Sequence, residues 1–291
     1  MTILVSSVSP ELIVMLSDSV LTVTHRPEEG NAFNEYERGS KYYRFPGVGC
    51  ITTWGDHTYN HLGTFTQKAS LQKKTRSVAE LAESVHQYIV QEYRKEPHDE
   101  LGFHIGGFDD NRKPHLYHVF WGFDRPRPDG QVAPAVRKYD HSDWVFLYNG
   151  RNDLAHPVID TLKKQIETGQ DTRFDLTTSL GHIALCDFIA RFAAEVTPEV
   201  GPPFVLNLIF PDNTIETLEN TSYAPISLQS VARVIPRLVP AARSKLIEST
   251  RDTPSDQGMP TGTAWMPPSG IADESYRGGT VSLIPPKPAN E

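Results

Sequence analysis

Residues 2–22 read TILVSSVSPELIVMLSDSVLT. Two runs rich in β-branched and aliphatic residues, Thr2–Val8 and Glu11–Ser17, are divided by Ser9-Pro10, a turn pair. The first run alternates loosely and the second is nearly continuous, which predicts a β-hairpin covered on at least one face. Two features of the stretch are chemical. A threonine stands directly behind Met1, and a carboxylate, Asp18, closes the second strand inside Ser17-Asp18-Ser19. Methionine excision requires a small second residue, so the mature chain is expected to begin at Thr2, with a hydroxyl and a free α-amine on one residue.

Outward from the hairpin, residues 25–40 (HRPEEGNAFNEYERGS) are polar and charged and read as a surface loop. Strand character returns at Lys41–Phe45 and Val48–Trp54, split by Pro46-Gly47. Gly55-Asp56 opens a helical stretch to about Leu71, with Asp56 as its N-cap. A second helix, Val78–Lys95, carries Leu81, Val85, Tyr88 and Ile89 on one face. Strands Leu101–Phe108 and His115–Trp121 flank the turn DDNRKP, a Pro-rich loop covers 124–134, and Trp144–Tyr148 is a further strand. Helices at Asp153–Glu167 and Thr177–Val196 precede strands Phe204–Phe210 and Thr214–Leu218, which flank Pro211-Asp212-Asn213; a last helix is expected over Leu228–Glu248. Strand runs alternating with helix pairs predict an α+β fold: a four-layer α/β/β/α sandwich of two antiparallel sheets with helices on the outer faces. Sheets buried on both sides explain why ELIVMLS and FVLNLIF are continuous rather than strictly alternating.

The chain has 291 residues, 38% of them hydrophobic, and residues 2–249 are read as one globular domain. Seven of the 23 prolines fall in 250–291, where apolar periodicity is lost, so this segment reads as a disordered or loosely draped tail. A formal net charge of -8 argues against nucleic-acid or anionic-membrane partners. There is no basic leader followed by a long apolar stretch, and the two cysteines, Cys50 and Cys186, lack metal-ligand spacing. A cytoplasmic location is expected, with both thiols as small buried apolar groups. His57 and His61, and likewise His115 and His118, are not completed by an H-E-x-x-H or carboxylate framework and read as surface or rim histidines. Gly106-Gly107 is followed by a strand rather than a helix, so it reads as a bulge or strand-end feature and not as a dinucleotide loop. Neither metal nor cofactor is expected.

The opening stretch resembles that of the proteasome-type β-subunits, including their bacterial HslV-type relatives, within the N-terminal-nucleophile hydrolases. In these proteins a threonine begins the mature chain and an Asp sixteen positions later closes the second strand, as Thr2 and Asp18 do here. The next markers are a lysine on the third strand and a glycine fourteen residues beyond it, matched by Lys41 and Gly55 in KYYRFPGVGCITTWGD. LGFHIGGFDDNRKPHLYHV is similar to the family's Gly-Gly-aromatic-Asp turn followed by Pro-x-Leu-Tyr. The resemblance spans about residues 2–218 and leaves out the tail.

The chemistry gives each of these residues a task. A threonine hydroxyl needs a base within reach, and the α-amine of the same residue is one, with an unperturbed pKa near ~8. An ammonium nearby, Lys41, favours the neutral amine by like-charge repulsion, and Asp18 pairs with Lys41. The Gly55 N–H, at the start of a helix, is suited to a tetrahedral oxyanion. The resemblance further implies that Thr22 pairs with an extended substrate backbone, that Leu21 and Thr53 lie near the specificity pocket, and that the substrate is a peptide or unfolded protein. It also implies a homo-oligomer, a ring or open spiral; whether an ATPase feeds it is unknown. Two positions depart from the family pattern. YNGRND has Arg151 or Asn152 where a Ser is expected, and TPEVGPPF offers Glu199 but no Asp or Ser in register. The function expected is a threonine-type peptidase or amidohydrolase acting through a Thr2 acyl-enzyme. The alternatives are an inactive structural or partner-binding subunit, and a transpeptidase or ligase that passes the same acyl group to an amine.

Overall fold

The computed structural model describes residues 2–25, 33–55, 75–93, 101–123, 134–143, 146–150, 156–170 and 173–227, with Val231 and Leu238. In chain order its elements are β1 Leu4–Val8, β2 Ile13–Ser17, β3 Val20–His25, β4 Phe33–Arg38, β5 Tyr42–Phe45, β6 Gly49–Gly55, α1 Val78–Tyr93, β7 Leu101–Phe108 and β8 Pro114–Phe123. There follow β9 Pro134–Asp140, β10 Phe146–Asn149, α2 His156–Glu167, α3 Ser179–Val196, β11 Phe204–Ile209 and β12 Ile215–Asn220. The expected helices at 56–71 and 228–248 fall outside the described residues, apart from Val231 and Leu238, as does the tail.

The strands form two five-stranded antiparallel sheets, β10-β1-β2-β11-β12 and β5-β6-β7-β8-β9, and a two-stranded pair, β3-β4. The fold is therefore α+β and antiparallel. The period of two along β2 decides what it touches. Leu12, Val14 and Leu16 join Leu185, Ile189 and Ala193 of α3 and Ile159 and Leu162 of α2 in one core cluster. Ile13 and Met15, on the opposite face, meet Cys50, Phe108 and Ile209, a cluster that draws on both sheets. On the second sheet, Ile51, Phe103, Ile105 and Val119 pack with Leu81, Val85 and Ile89 of α1. Both faces of β2 are thus buried, the physical origin of its unbroken apolar run.

Polar contacts fix the sheets against each other. Asn213, in the β11–β12 turn, accepts from Phe108 N at 2.8 Å and donates to Phe108 O at 2.8 Å, copying a strand pair at the end of β7. Gly106 and Gly107 lie at the end of β7, the strand-end placement expected as an alternative to a bulge, and a Cβ on Gly106 would stand 2.7 Å from the Met15 sulfur. Three strands depart from the sequence reading, β3 among them, for which no strand was expected over 20–25. The charged stretch expected as loop contains β4, whose described side chains Glu35–Arg38 are exposed and which among the described residues pairs only with β3. The Pro-rich region gives way to β9, paired with β8 along the sheet edge.

Candidate active site

The site is built at the strand ends where β1 begins and β2 stops. Asp18, directly after β2, is fully buried, and three donor groups make four hydrogen bonds to its carboxylate. Ile3 N reaches Oδ1 at 3.0 Å, Val20 N reaches Oδ2 at 3.0 Å, and Lys41 Nζ donates to both oxygens at 2.9 and 3.0 Å. The Asp18 N–H returns a bond to Ile3 O at 3.3 Å, so both the N–H and the carbonyl of Ile3, the residue after Thr2, are held by Asp18. Lys41 stands just before β5, and its carbonyl accepts from Thr53 N at 3.0 Å, two residues short of Gly55 on β6. Both charged side chains have 0% exposure.

Such a pair is held by its hydrogen bonds, because desolvation of two ions otherwise outweighs their attraction. Burial pushes the Asp18 carboxyl up and the Lys41 ammonium down from their ordinary ranges, and the pairing opposes both shifts. An ammonium so placed parts with its proton more readily than a solvated one.

Thr2 itself is 4% exposed and sits beside the Lys41–Asp18 pair through Ile3. Its other neighbour is the end of β10. Gly150 has φ +137°, and a Cβ there would lie 1.8 Å from Thr2 O. Gly55 ends β6 at φ +93°, a conformation that glycine adopts without strain. Of the remaining expected residues, Leu21 and Thr22 are half-buried on β3, opposite Glu37 and Tyr36 of β4, and the Leu21 side chain packs over Gly39. Thr53 is 1% exposed, with its hydroxyl unpartnered among the described residues.

Ser19 was not singled out by its sequence context. Its hydroxyl donates to Pro203 O at 2.7 Å and its N–H to Gly201 O at 3.5 Å, so TPEVGPPF closes onto the Asp18 turn through backbone carbonyls. Arg151 and Asn152 lie outside the described residues, as do His57 and His61. His118 is buried rather than on the rim, and its Nε2 accepts from Trp54 Nε1 at 3.3 Å. His115 is half-buried between Asp109 and Asp140, at 3.4 and 3.5 Å. No group of three His, Cys, Asp or Glu able to hold a metal occurs among the described residues. Cys50 and Cys186 are buried, and burial pushes the Cys50 thiol up to about 12.

Two five-stranded antiparallel sheets with helices packed against them give the chain a fold that solved structures share. Solved structures similar to it include Anbu proteins. A Gly-1 mutant of Anbu from Hyphomicrobium sp. strain MC1 aligns over 86% of this chain and all of its own, with 12% identity and a TM-score of 0.51. Anbu from the same strain aligns over 88% of this chain and all of its own at 13% identity and a TM-score of 0.50. Anbu (ancestral beta-subunit) from Yersinia bercovieri aligns over 89% and all of its own, again at 13% and 0.50. At such identity the likeness is one of fold. No protein family model matches the sequence, and no curated protein matches it. These neighbours correct the kinship expected from the sequence, which pointed to proteasome β-subunits and HslV-type proteins: the solved structures found to share its fold are Anbu proteins, one described as an ancestral beta-subunit. Of the markers behind that expectation, Asp18 and Lys41 are in direct contact, and the Asp18 carboxylate also binds the N–H of the residue after Thr2.

Proposed function

We propose that this chain is a threonine-type N-terminal-nucleophile peptidase or amidohydrolase, active once Met1 is removed. One observation carries the reading: a fully buried Lys41–Asp18 ion pair whose carboxylate also binds the N–H of Ile3, the residue that follows Thr2. A chain has little reason to bury a lysine at that point for stability alone, since an apolar pair of similar volume does as well or better. Beside a terminal amine, the same lysine serves a purpose. Its charge disfavours the ammonium form of the amine, which is then free to take the Thr2 hydroxyl proton as oxygen attacks the acyl carbon. The Gly55 N–H is the proposed donor to the oxyanion.

The helix clusters on α1 and on α2–α3, with a shared cluster between the sheets, support reading the architecture as an α/β/β/α sandwich in which 2–249 is the single catalytic domain. Leu21, Thr22 and Thr53 are the proposed substrate-side residues. By resemblance, the substrate is a peptide or unfolded protein, the assembly a homo-oligomer and the location cytoplasmic. A second reading, a non-catalytic partner-binding subunit, draws on the segment 197–203, which meets the Asp18 turn through carbonyls where active relatives are expected to supply side-chain partners.

An epoxyketone, which captures a hydroxyl and a free amine on one residue, separates the two. Intact mass should show loss of Met1 and one adduct per chain, absent in Thr2→Ala, which retains the wild-type Tm. Retention of Met1, or no adduct on a chain that begins at Thr2, would overturn the catalytic reading in favour of the second.

A further inference from the structure

His104, on β7, takes no part in the chemistry above, yet it has 0% exposure and both ring nitrogens are engaged. Nδ1 lies 2.9 Å from Ser6 Oγ of β1, and Nε2 lies 2.7 Å from Asn149 Oδ1 of β10. A carboxamide oxygen only accepts, so Nε2 carries the ring proton and Nδ1 accepts from the Ser6 hydroxyl. Burial holds the ring neutral, with its pKa down at about 4. One imidazole of the second sheet therefore grips two adjacent strands of the first, which pair with Leu4 opposite Asn149.

Those strands end on the candidate nucleophile. Thr2 lies two residues before Leu4. Gly150, directly after Asn149, approaches Thr2 so closely that even a methyl group would meet its carbonyl oxygen at 1.8 Å. The position of Asn149 thus sets how the backbone of Thr2 is backed on the side away from Asp18. We propose that His104 is a positioning residue: through Asn149 it fixes the Gly150 end of β10, and through Gly150 it holds Thr2 in place for attack. The inference rests on Thr2 being the nucleophile. Any buried imidazole needs partners for both nitrogens; what bears on Thr2 is that these two partners lie on the strands that end beside it.

The test uses the full chain begun at Thr2, with Asn149→Leu removing the acceptor and Asn149→Asp retaining one. Two measurements are made: kinact and KI for epoxyketone capture, and hydrogen exchange of the segments 2–4 and 146–150. Misplacement by a fraction of an ångström costs rate rather than binding, so Asn149→Leu should lower kinact about tenfold or more with KI within about twofold, and Asn149→Asp should recover most of the loss. Exchange in both segments should rise in Asn149→Leu while α1 is unchanged. If Asn149→Leu does not fold, Ser6→Ala removes the other bond to the ring, and the same rise in exchange is required of it. Wild-type kinact together with unchanged exchange overturns the proposal. If the wild-type chain itself is not captured, the nucleophile reading fails, and the exchange measurement alone decides whether His104 positions the strand ends.

Discussion

A lysine wholly out of water is tolerable only against a carboxylate, and the Asp18 oxygens take two bonds from it while two backbone N–H groups take up the remaining acceptor capacity. The arrangement is costly to interrupt because removing either partner strands the other as a buried charge. Lys41→Met and Asp18→Asn are each expected to destabilise the fold by about 3–5 kcal/mol, and the double variant by clearly less than their sum. Urea denaturation of the three proteins measures this, and additive losses would show that the two groups do not act as a pair. Lys41→Arg is not a conservative change here. A planar five-donor fork cannot occupy the place of a compact ammonium, so capture of Thr2 should stay lost even where the fold survives.

Among the elements, the end of β10 is the most constrained by its neighbour. At Gly150 two costs coincide, a φ of +137° and a backbone oxygen within 1.8 Å of any Cβ, whereas Gly47 has φ +77° and nothing within 4 Å. Gly47→Ala should therefore cost about 1 kcal/mol and Gly150→Ala distinctly more, read as the difference in denaturation midpoint at unchanged slope. Equal losses would mean that β10 moves away from Thr2 without penalty. How much of this was legible in sequence varies by element. β1, β2, β7 and β11 were, because apolar runs of strand length bounded by Gly, Pro or Asn leave few other readings. β4 was not: FNEYER carries Glu35, Glu37 and Arg38 on side chains that face solvent, and its pairing with β3 makes it a strand. The Thr2–Asp18–Lys41 grouping was legible only through the resemblance to the proteasome-type pattern, since each residue alone has an ordinary reading. The link from His104 to Asn149 was not, since 45 residues and a change of sheet separate the two, and no local pattern marks which polar residues will meet.

Across the whole molecule, the histidines set the response to acid. His104, His118, His141 and His182 are all pushed below the ordinary imidazole range, chiefly by burial. At three of them the hydrogen bonding requires a neutral ring. His104 accepts from Ser6, His118 accepts from Trp54, and His182 Nδ1 accepts from Ser7 at 2.6 Å while its Nε2 donates to Leu176 O at 3.0 Å. In the unfolded chain these rings take up protons near ~6.5, so between that pH and the folded values the unfolded state binds more protons. The contribution is fully present above ~6.5 and is lost as pH falls; for His104, held at about 4, the loss amounts to about 3 kcal/mol. Carboxylates scarcely enter this window. Glu83, Asp109 and Asp140 are shifted downward and lose their contribution only below their ordinary range, while Asp18, shifted upward, acts with the opposite sign as pH falls. Unfolding free energy measured in urea should accordingly drop steeply from pH 6.5 to 4.5, a drop large against the ~5–15 kcal/mol that holds a typical domain together. His118→Phe should flatten that slope, since it removes one titrating ring while preserving the stack on Phe120 seen at a centroid distance of 4.6 Å. A slope that is flat in the wild type, or unchanged by His118→Phe, would place the acid sensitivity with the carboxylates instead.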